Sequence, residues 1–345
     1  MKRTHLLHLV FRKVAFILLQ GALAGHAMAE DYHECVGRYE LTLPGAVDVA
    51  TTTRAVFDGK FIQYPIRFSD GQTTMYSSFR FNGEYEIFQD IPEEWARDFL
   101  IKRKKFVEGS AKESSENDRF SEVATDRIGY FAMSGSKSSE FDAYNNGTFV
   151  RFIASSFIDN QSVTIKRMMN ALSSSRMRQP YEIPRETGAC LPAIFVASHR
   201  NDDFSDIGVT FRLTEHPDVT IFFADRTAGE LSRMSSRQKS EFVWSWRAIA
   251  RVIHLHGPLR YRPTRMAGRL GTASFATIER YDGATDYAYL VTIQGDPDAS
   301  VDTPDLELLV QRTAKNDKGV PPVSGDQLES IAKAIAASVK RRPVE

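Results

Sequence analysis

Apolar and polar residues alternate in short runs along most of this chain, and turn residues separate the runs. Tyr39, Leu41 and Leu43 alternate with Arg38, Glu40 and Thr42, the pattern of a half-buried strand. Residues 61–68 and 75–81 repeat the period of two about Asp70-Gly71, a hairpin signal. Ile91-Pro92-Glu93-Glu94 opens a helix in the favoured way, with proline and acids in the first turn. It is expected to reach Glu108 and to turn Trp95, Phe99 and Phe106 inward. A Ser/Glu-rich stretch at 109–122 reads as a loop, 128–133 and 149–157 as strands, and 163–177 as a helix that closes the first half.

The second half repeats this layout. Strands are expected at 194–197, 209–213 and 219–223, with His216-Pro217-Asp218 as a turn. A helical stretch carrying Phe242, Trp246, Ile249 and Ile253 follows, then strands at 259–266, 273–278, 287–293 and 306–311 and a final helix at 326–340. Strands outnumber helices and hairpins outnumber crossovers, so the expected class is α+β with antiparallel sheets.

The two halves also end alike. Ala171-Leu172-Ser173-Ser174-Ser175-Arg176-Met177-Arg178-Gln179-Pro180 aligns without a gap with Ala334-Ile335-Ala336-Ala337-Ser338-Val339-Lys340-Arg341-Arg342-Pro343. Each reads as helix, basic end and terminating proline. Cys35 and Cys190, the chain's 2 cysteines, each head one half. Two similar domains, 30–180 and 190–345, joined by a linker at 181–189, are the economical reading.

The first 29 residues read as a signal peptide: Lys2, Arg3, Arg12 and Lys13 precede a short apolar run, and Ala27-Met28-Ala29 fits the cleavage rule. Cleavage after Ala29 would leave 40 basic and 44 acidic residues, a balance that gives no reason to propose nucleic acid or an anionic membrane surface as partner. No later stretch has the apolar length of a membrane span, so no membrane insertion is expected once the signal is removed. In an oxidising compartment two cysteines usually pair, which predicts a Cys35–Cys190 bridge, two separately buried thiols being the alternative.

The chain carries no recognisable catalytic pattern. The nearest approach to a nucleophile elbow, Met133-Ser134-Gly135-Ser136-Lys137, lacks the flanking glycines. His254-x-His256 has no third ligand at the usual spacing, and neither cysteine has a local metal partner. Phosphate-cradling and dinucleotide loops are absent. Lys102-Arg103-Lys104-Lys105 reads as a solvated helix face. Catalytic residues, metal and cofactor are therefore all expected to be none.

Four motifs, in order, carry a resemblance. They are Cys35-Val36-Gly37-Arg38-Tyr39-Glu40-Leu41-Thr42-Leu43-Pro44, Gly188-Ala189-Cys190-Leu191-Pro192, Arg265-Met266-Ala267-Gly268-Arg269-Leu270-Gly271 and Ser338-Val339-Lys340-Arg341-Arg342-Pro343. Together they resemble the type VI secretion lipase-immunity proteins of the fourth class. One departure is Thr272-Ala273 after Gly271, where that family has an acidic residue. The resemblance implies a periplasmic, two-domain, claw-shaped protein that grips a phospholipase or lipase effector and blocks its lid or active site. It does not carry the gripping residues. The candidates from the chain itself are Asp202 and Phe204 on one loop, and Asp296, Asp298 and Asp302 on an acidic loop. An exported cell-envelope hydrolase or ligand-binding protein with an unrecognised site is the alternative.

Overall fold

The structure, a computed structural model, describes residues 32–52, 65–74, 76–113, 119–125, 130–158, 160–198, 203–245, 250–299 and 303–343. The expected signal peptide and its cleavage point lie outside these residues. From Tyr32 onward the chain forms one compact unit.

Its first half runs β1 (Tyr32–Val36), β2 (Tyr39–Leu43), β3 (Val47–Val49), β4 (Thr51–Thr52), β5 (Ile66–Arg67), β6 (Ser78–Phe81) and β7 (Glu84–Phe88). Helix α1 (Glu93–Glu113) follows, then β8 (Ser121–Val123), β9 (Tyr130–Ser134), β10 (Ser138–Asn145), β11 (Thr148–Ser155), α2 (Gln161–Ser174) and β12 (Ser175–Met177). The second half runs β13 (Gly188–Leu191), β14 (Ile194–Ala197), β15 (Ser205–Leu213), β16 (Val219–Arg226), α3 (Ser236–Ser245) and β17 (Ala250–Leu255). It ends with β18 (Arg262–Met266), β19 (Arg269–Arg280), β20 (Thr285–Ile293), β21 (Asp305–Arg312), α4 (Gly325–Ser338) and β22 (Lys340–Arg341).

Antiparallel pairing builds one 14-stranded sheet in the order β17-β19-β20-β21-β16-β15-β6-β7-β11-β10-β9-β8, with β18 and β3 beside it. Each half supplies one run of neighbouring strands. The runs join where β6 pairs with β15, and inside the first run β6 meets β7 at a single residue pair, Arg80 with Glu84. The sheet is therefore continuous across the halves but pinched at that hairpin. Two smaller sheets, β1-β2-β22 and β12-β14-β13, also combine strands of both halves.

Alternation explains the layers. Phe141, Phe152, Val209, Phe211, Phe223, Val291 and Leu308 point to one face and form the main core with Met168 and Leu172 of α2 and Leu328, Ala332 and Ile335 of α4. On the other face α1 lays Trp95 and Phe99 against Phe88 and Phe149, while α3 lays Trp244 against Phe222, Ala276 and Leu290. Each half of the sheet thus carries one helix on each face. Local signals start these helices: Glu93 and Glu94 occupy the first turn of α1, Asn160 caps α2, and Ser324 and Gln327 form a capping box on α4.

Several expected elements end elsewhere. The 163–177 helix stops at Ser174 and becomes β12, the aligned final helix stops at Ser338 and becomes β22, and Ile253 belongs to β17. Trp246 and Ile249 lie outside the described residues. Helix α1 continues to Glu113, and Phe106 leans outward on Phe120 while Arg103 and Val107 take the inward positions. Strand β10 has no counterpart in the sequence reading, because its outward positions are charged.

Those charges form a buried cluster under α1. Arg103 donates to Glu140 and, at 3.2 Å, to Asp142; Arg151 donates to Asp142 at 2.9 Å and to Glu86 at 3.2 Å. All five groups are buried. Two guanidiniums face three carboxylates, so one negative charge is in excess. Glu140 Oε1 has no hydrogen-bond partner among the described residues. Burial, followed by the nearby carboxylates of Glu84, Asp142 and Glu140, pushes Glu86 up to about 7 even though Arg151 opposes the shift. Burial likewise raises Glu140. The expected solvated face at 102–105 is therefore broken at Arg103.

Candidate partner interface

The motifs that carry the family resemblance build a frame. Gly37, at φ 57°, turns β1 into β2 directly against β16, and a Cβ there would lie 2.4 Å from Asp225 Oδ2. Only a residue without a side chain fits. Asp225, fully buried, accepts from Arg38 N and Nε at 2.9 Å each and from Arg38 Nη2 at 2.7 Å. Such a bidentate pair fixes the hairpin in direction as well as position. Tyr39, Leu41 and Leu43 fill the core beneath it.

Cys35 and Cys190 are bridged, with Cα atoms 5.8 Å apart, and Gly37 N and O exchange 2.8 Å hydrogen bonds with Cys190 O and N. Arg342 donates to the carbonyls of Pro184, Glu186 and Gly188. Burial, then the adjacent Arg178 charge, lowers Arg342 to about 10. Arg178 in turn pairs with Glu34 at 2.6 Å. Ser338 Oγ accepts from Thr42 N at 2.9 Å. Three of the four motifs therefore meet in one knot that ties the first strands, the linker and the last strand together.

The fourth motif holds a loop. Gly271 passes so close to β20 that a Cβ would lie 2.4 Å from Thr292 O. Arg269 donates to Pro304 O at 2.7 Å and also to Gln294 O, so both ends of the acidic loop are pinned by one guanidinium. Within that loop Asp296 N donates to Thr303 O and Asp298 N to Asp296 Oδ1, each at 2.9 Å. Asp296 and Asp298 are exposed. Asp302 and Asp202 lie outside the described residues.

The sheet register puts the candidate loops on the same edge. Ser205 faces Phe81, Asp206 faces Arg226, Arg226 faces Asp305, and Leu306 faces Ile293. Phe204, immediately before β15, and the 294–304 loop, immediately before β21, are thus two strands apart, roughly 10 Å. In the first half the same edge carries the β6–β7 hairpin and the loop after β11, since Glu84 faces Ile153 and Ser155 faces Ser138.

Phe204 is held by its backbone while its ring stays in solvent. Asn82 N donates to Phe204 O at 3.0 Å, Phe204 N donates to Asn82 Oδ1 at 2.9 Å, and Asn82 Nδ2 donates to Asp203 at 2.7 Å. Asn82 takes φ 53° to make this clamp. The Phe204 residue is nonetheless 51% exposed and Phe157 is 106% exposed, beside Ile158 at 68%. The sequence reading had Phe157 ending a strand; β11 stops at Ser155 and leaves it on the rim. Between these aromatics lies a groove of about 920 Å³, floored by Phe81, Ile153, Ala171 and Val196. It was not legible in the sequence, because its walls come from β6–β7, β11, α2 and β14.

The serine and histidine candidates have ordinary structural partners. Ser134 Oγ shares a hydrogen bond with Ser139 Oγ at 2.8 Å, and Ser139 with Thr164 at 2.8 Å. His254 lies 3.3 Å from Glu279, and His256 lies 2.6 Å from Thr277. Among the described residues no three His, Cys, Asp or Glu side chains gather as a metal site, and no helix is long and apolar enough to cross a membrane.

Comparison with known proteins follows the same line. Residues 182–344 match the sequence model of a family described as the Tle cognate immunity protein 4 C-terminal domain. Curated protein sequences give no match. Among solved structures, the Tle4–Tli4 complex contains a chain similar over 92% of this chain and 99% of its own, at 17% identity and a TM-score of 0.62. The apo immunity protein TplEi of the type VI secretion system of Pseudomonas aeruginosa is similar over 93% of this chain and 100% of its own, at 15% identity and a TM-score of 0.60. The same immunity protein complexed with an "L" peptide gives 92%, 100%, 16% and 0.60. At such identities these structures establish the fold, and the family match establishes the kinship. Residues 182–344 thus match the Tle cognate immunity protein 4 family, and the fold of the chain is the one seen in type VI secretion immunity proteins.

Proposed function

We propose that this protein is a periplasmic immunity protein that binds a type VI secretion lipase effector and blocks it stoichiometrically, without catalysis of its own. The observation that carries this reading is the loop edge: rigidly held loops from both halves, 30–180 and 190–345, present exposed aromatics beside an acidic loop. Preorganised aromatic anchors of this kind supply most of the energy in protein interfaces. The kinship supports the partner class, since a relative is known in complex with Tle4 and another with a peptide. The disulfide supports an oxidising compartment, and the signal-like start supports cleavage after Ala29.

The test is to mix the mature protein with a type VI secretion lipase of the Tle4 class from the same organism and follow lipid hydrolysis. Activity should fall to zero at equimolar inhibitor, with a complex on gel filtration. Unaltered hydrolysis with no complex would overturn the reading. Intact mass of the periplasmic protein should show Glu30 as the first residue.

A further inference from the structure

Resting on the reading that an effector binds this edge, we infer that the groove between Phe157 and Phe204 seats one extended segment of that effector, carrying an apolar side chain next to a carboxylate. Four observations lead there. The groove is about 920 Å³, at the upper end of ligand cavities, which suits several residues of peptide. Its aromatics do not line a closed interior as in a metabolite pocket. Phe157 and Phe204 both line the groove yet stay largely in solvent, so an occupant large enough to lie over both is what would cover them. The floor is apolar, and the sides carry hydroxyls and amides, including Ser155, Ser198 and Asn170, the kinds of group that hydrogen-bond an extended backbone.

Charge completes the argument. Two guanidiniums, Arg80 and Arg167, line the groove against one carboxylate, Glu84. Arg80 is partly engaged by Asp206 at 3.8 Å, its side chain remaining 47% exposed. Arg167 stands exposed on α2, about one turn before Asn170 and nearly two before Ser173. An occupant with a carboxylate over Arg167 and an apolar group over Ala171 and Val196 satisfies both features, whereas a basic segment meets like charge.

The substitutions that test this leave the core alone. Ser173 is exposed and lines the groove, so Ser173→Trp fills it from the helix surface, with Ser173→Ala as the control for the helix. Arg167→Glu reverses the charge on the same face. Binding of each mature variant to the lipase of the same organism that the wild type inhibits is measured by calorimetry, and overlapping synthetic peptides tiling that lipase are titrated in parallel. Wild-type protein and Ser173→Ala should bind alike. Ser173→Trp, Phe157→Ala and Phe204→Ala should each weaken binding at least tenfold. Arg167→Glu should weaken it with a shallower salt dependence, and the peptide retained by the wild type should hold an acidic residue beside an apolar one. Effector binding that is tight and equal in all variants would overturn the groove while leaving the immunity reading intact. No binding by the wild type would overturn both. A wild-type dimer on gel filtration that Phe157→Ala dissolves would also overturn the inference, since a second copy would then be the occupant.

Discussion

The buried cluster beneath α1 makes stability depend on pH in a direction the structure fixes. Glu86 ionises near 4.5 when unfolded and at about 7 when folded. A carboxyl raised in this way contributes its stability fully below about pH 4.5. That contribution is lost as the pH rises towards 7, because the unfolded chain releases the proton first. The full difference corresponds to about 3 kcal/mol, of which roughly 2.5 kcal/mol falls between pH 5 and pH 8. Glu86→Gln removes the excess charge and leaves two guanidiniums against two carboxylates. Urea unfolding of wild type and variant at pH 5 and pH 8 is the assay. The variant should differ little from wild type at pH 5 and exceed it by about 2 kcal/mol at pH 8. A difference between the two proteins that is the same at both pH values would refute the reasoning.

Other perturbations follow from the frame. Asp225→Ala removes the buried carboxylate that accepts from Arg38 N, Nε and Nη2 and should cost about 3–5 kcal/mol in denaturant unfolding; a loss below about 1 kcal/mol would mean that other groups or water take over the charge. Replacing Cys35 and Cys190 with serine releases a cross-link spanning 155 residues and should lower stability by up to about 5 kcal/mol on the chain-entropy account, read from the unfolding midpoint. Arg269→Ala should speed amide exchange at Asp296 and Thr303 without altering exchange in β20, and unchanged protection of the loop would show that its own turns suffice.

Much of the strand inventory was legible because half-buried strands write their burial into a period of two. Residues 39–43, 194–197, 287–293 and 306–311 alternate or run apolar, and each lies in a strand as expected. Strand β10 escaped for the opposite reason. Glu140 and Asp142 look solvated in a linear reading, and their burial is affordable only because Arg103 from α1 and Arg151 from β11 arrive from elsewhere in the chain. The helix ends were placed close to their sites by composition, but their conversion into β12 and β22 depends on partners in β14 and β2.

By itself, then, the sequence determined the local periods, the proline and acids that open the first helix, and the expected pairing of its two cysteines in an oxidising compartment. It also carried the family motifs, which the structure turns into a frame: glycines where strands approach within a Cβ radius, and arginines where carboxylates and carbonyls converge. The tertiary structure decided what a one-dimensional pattern cannot encode. Register across β6, β15, β16 and β21 brings Phe204 and the acidic loop to one edge. The early stop of β11 leaves Phe157 on the rim. A groove is a relation between surfaces distant along the chain, so its walls acquire meaning only when folding sets them face to face.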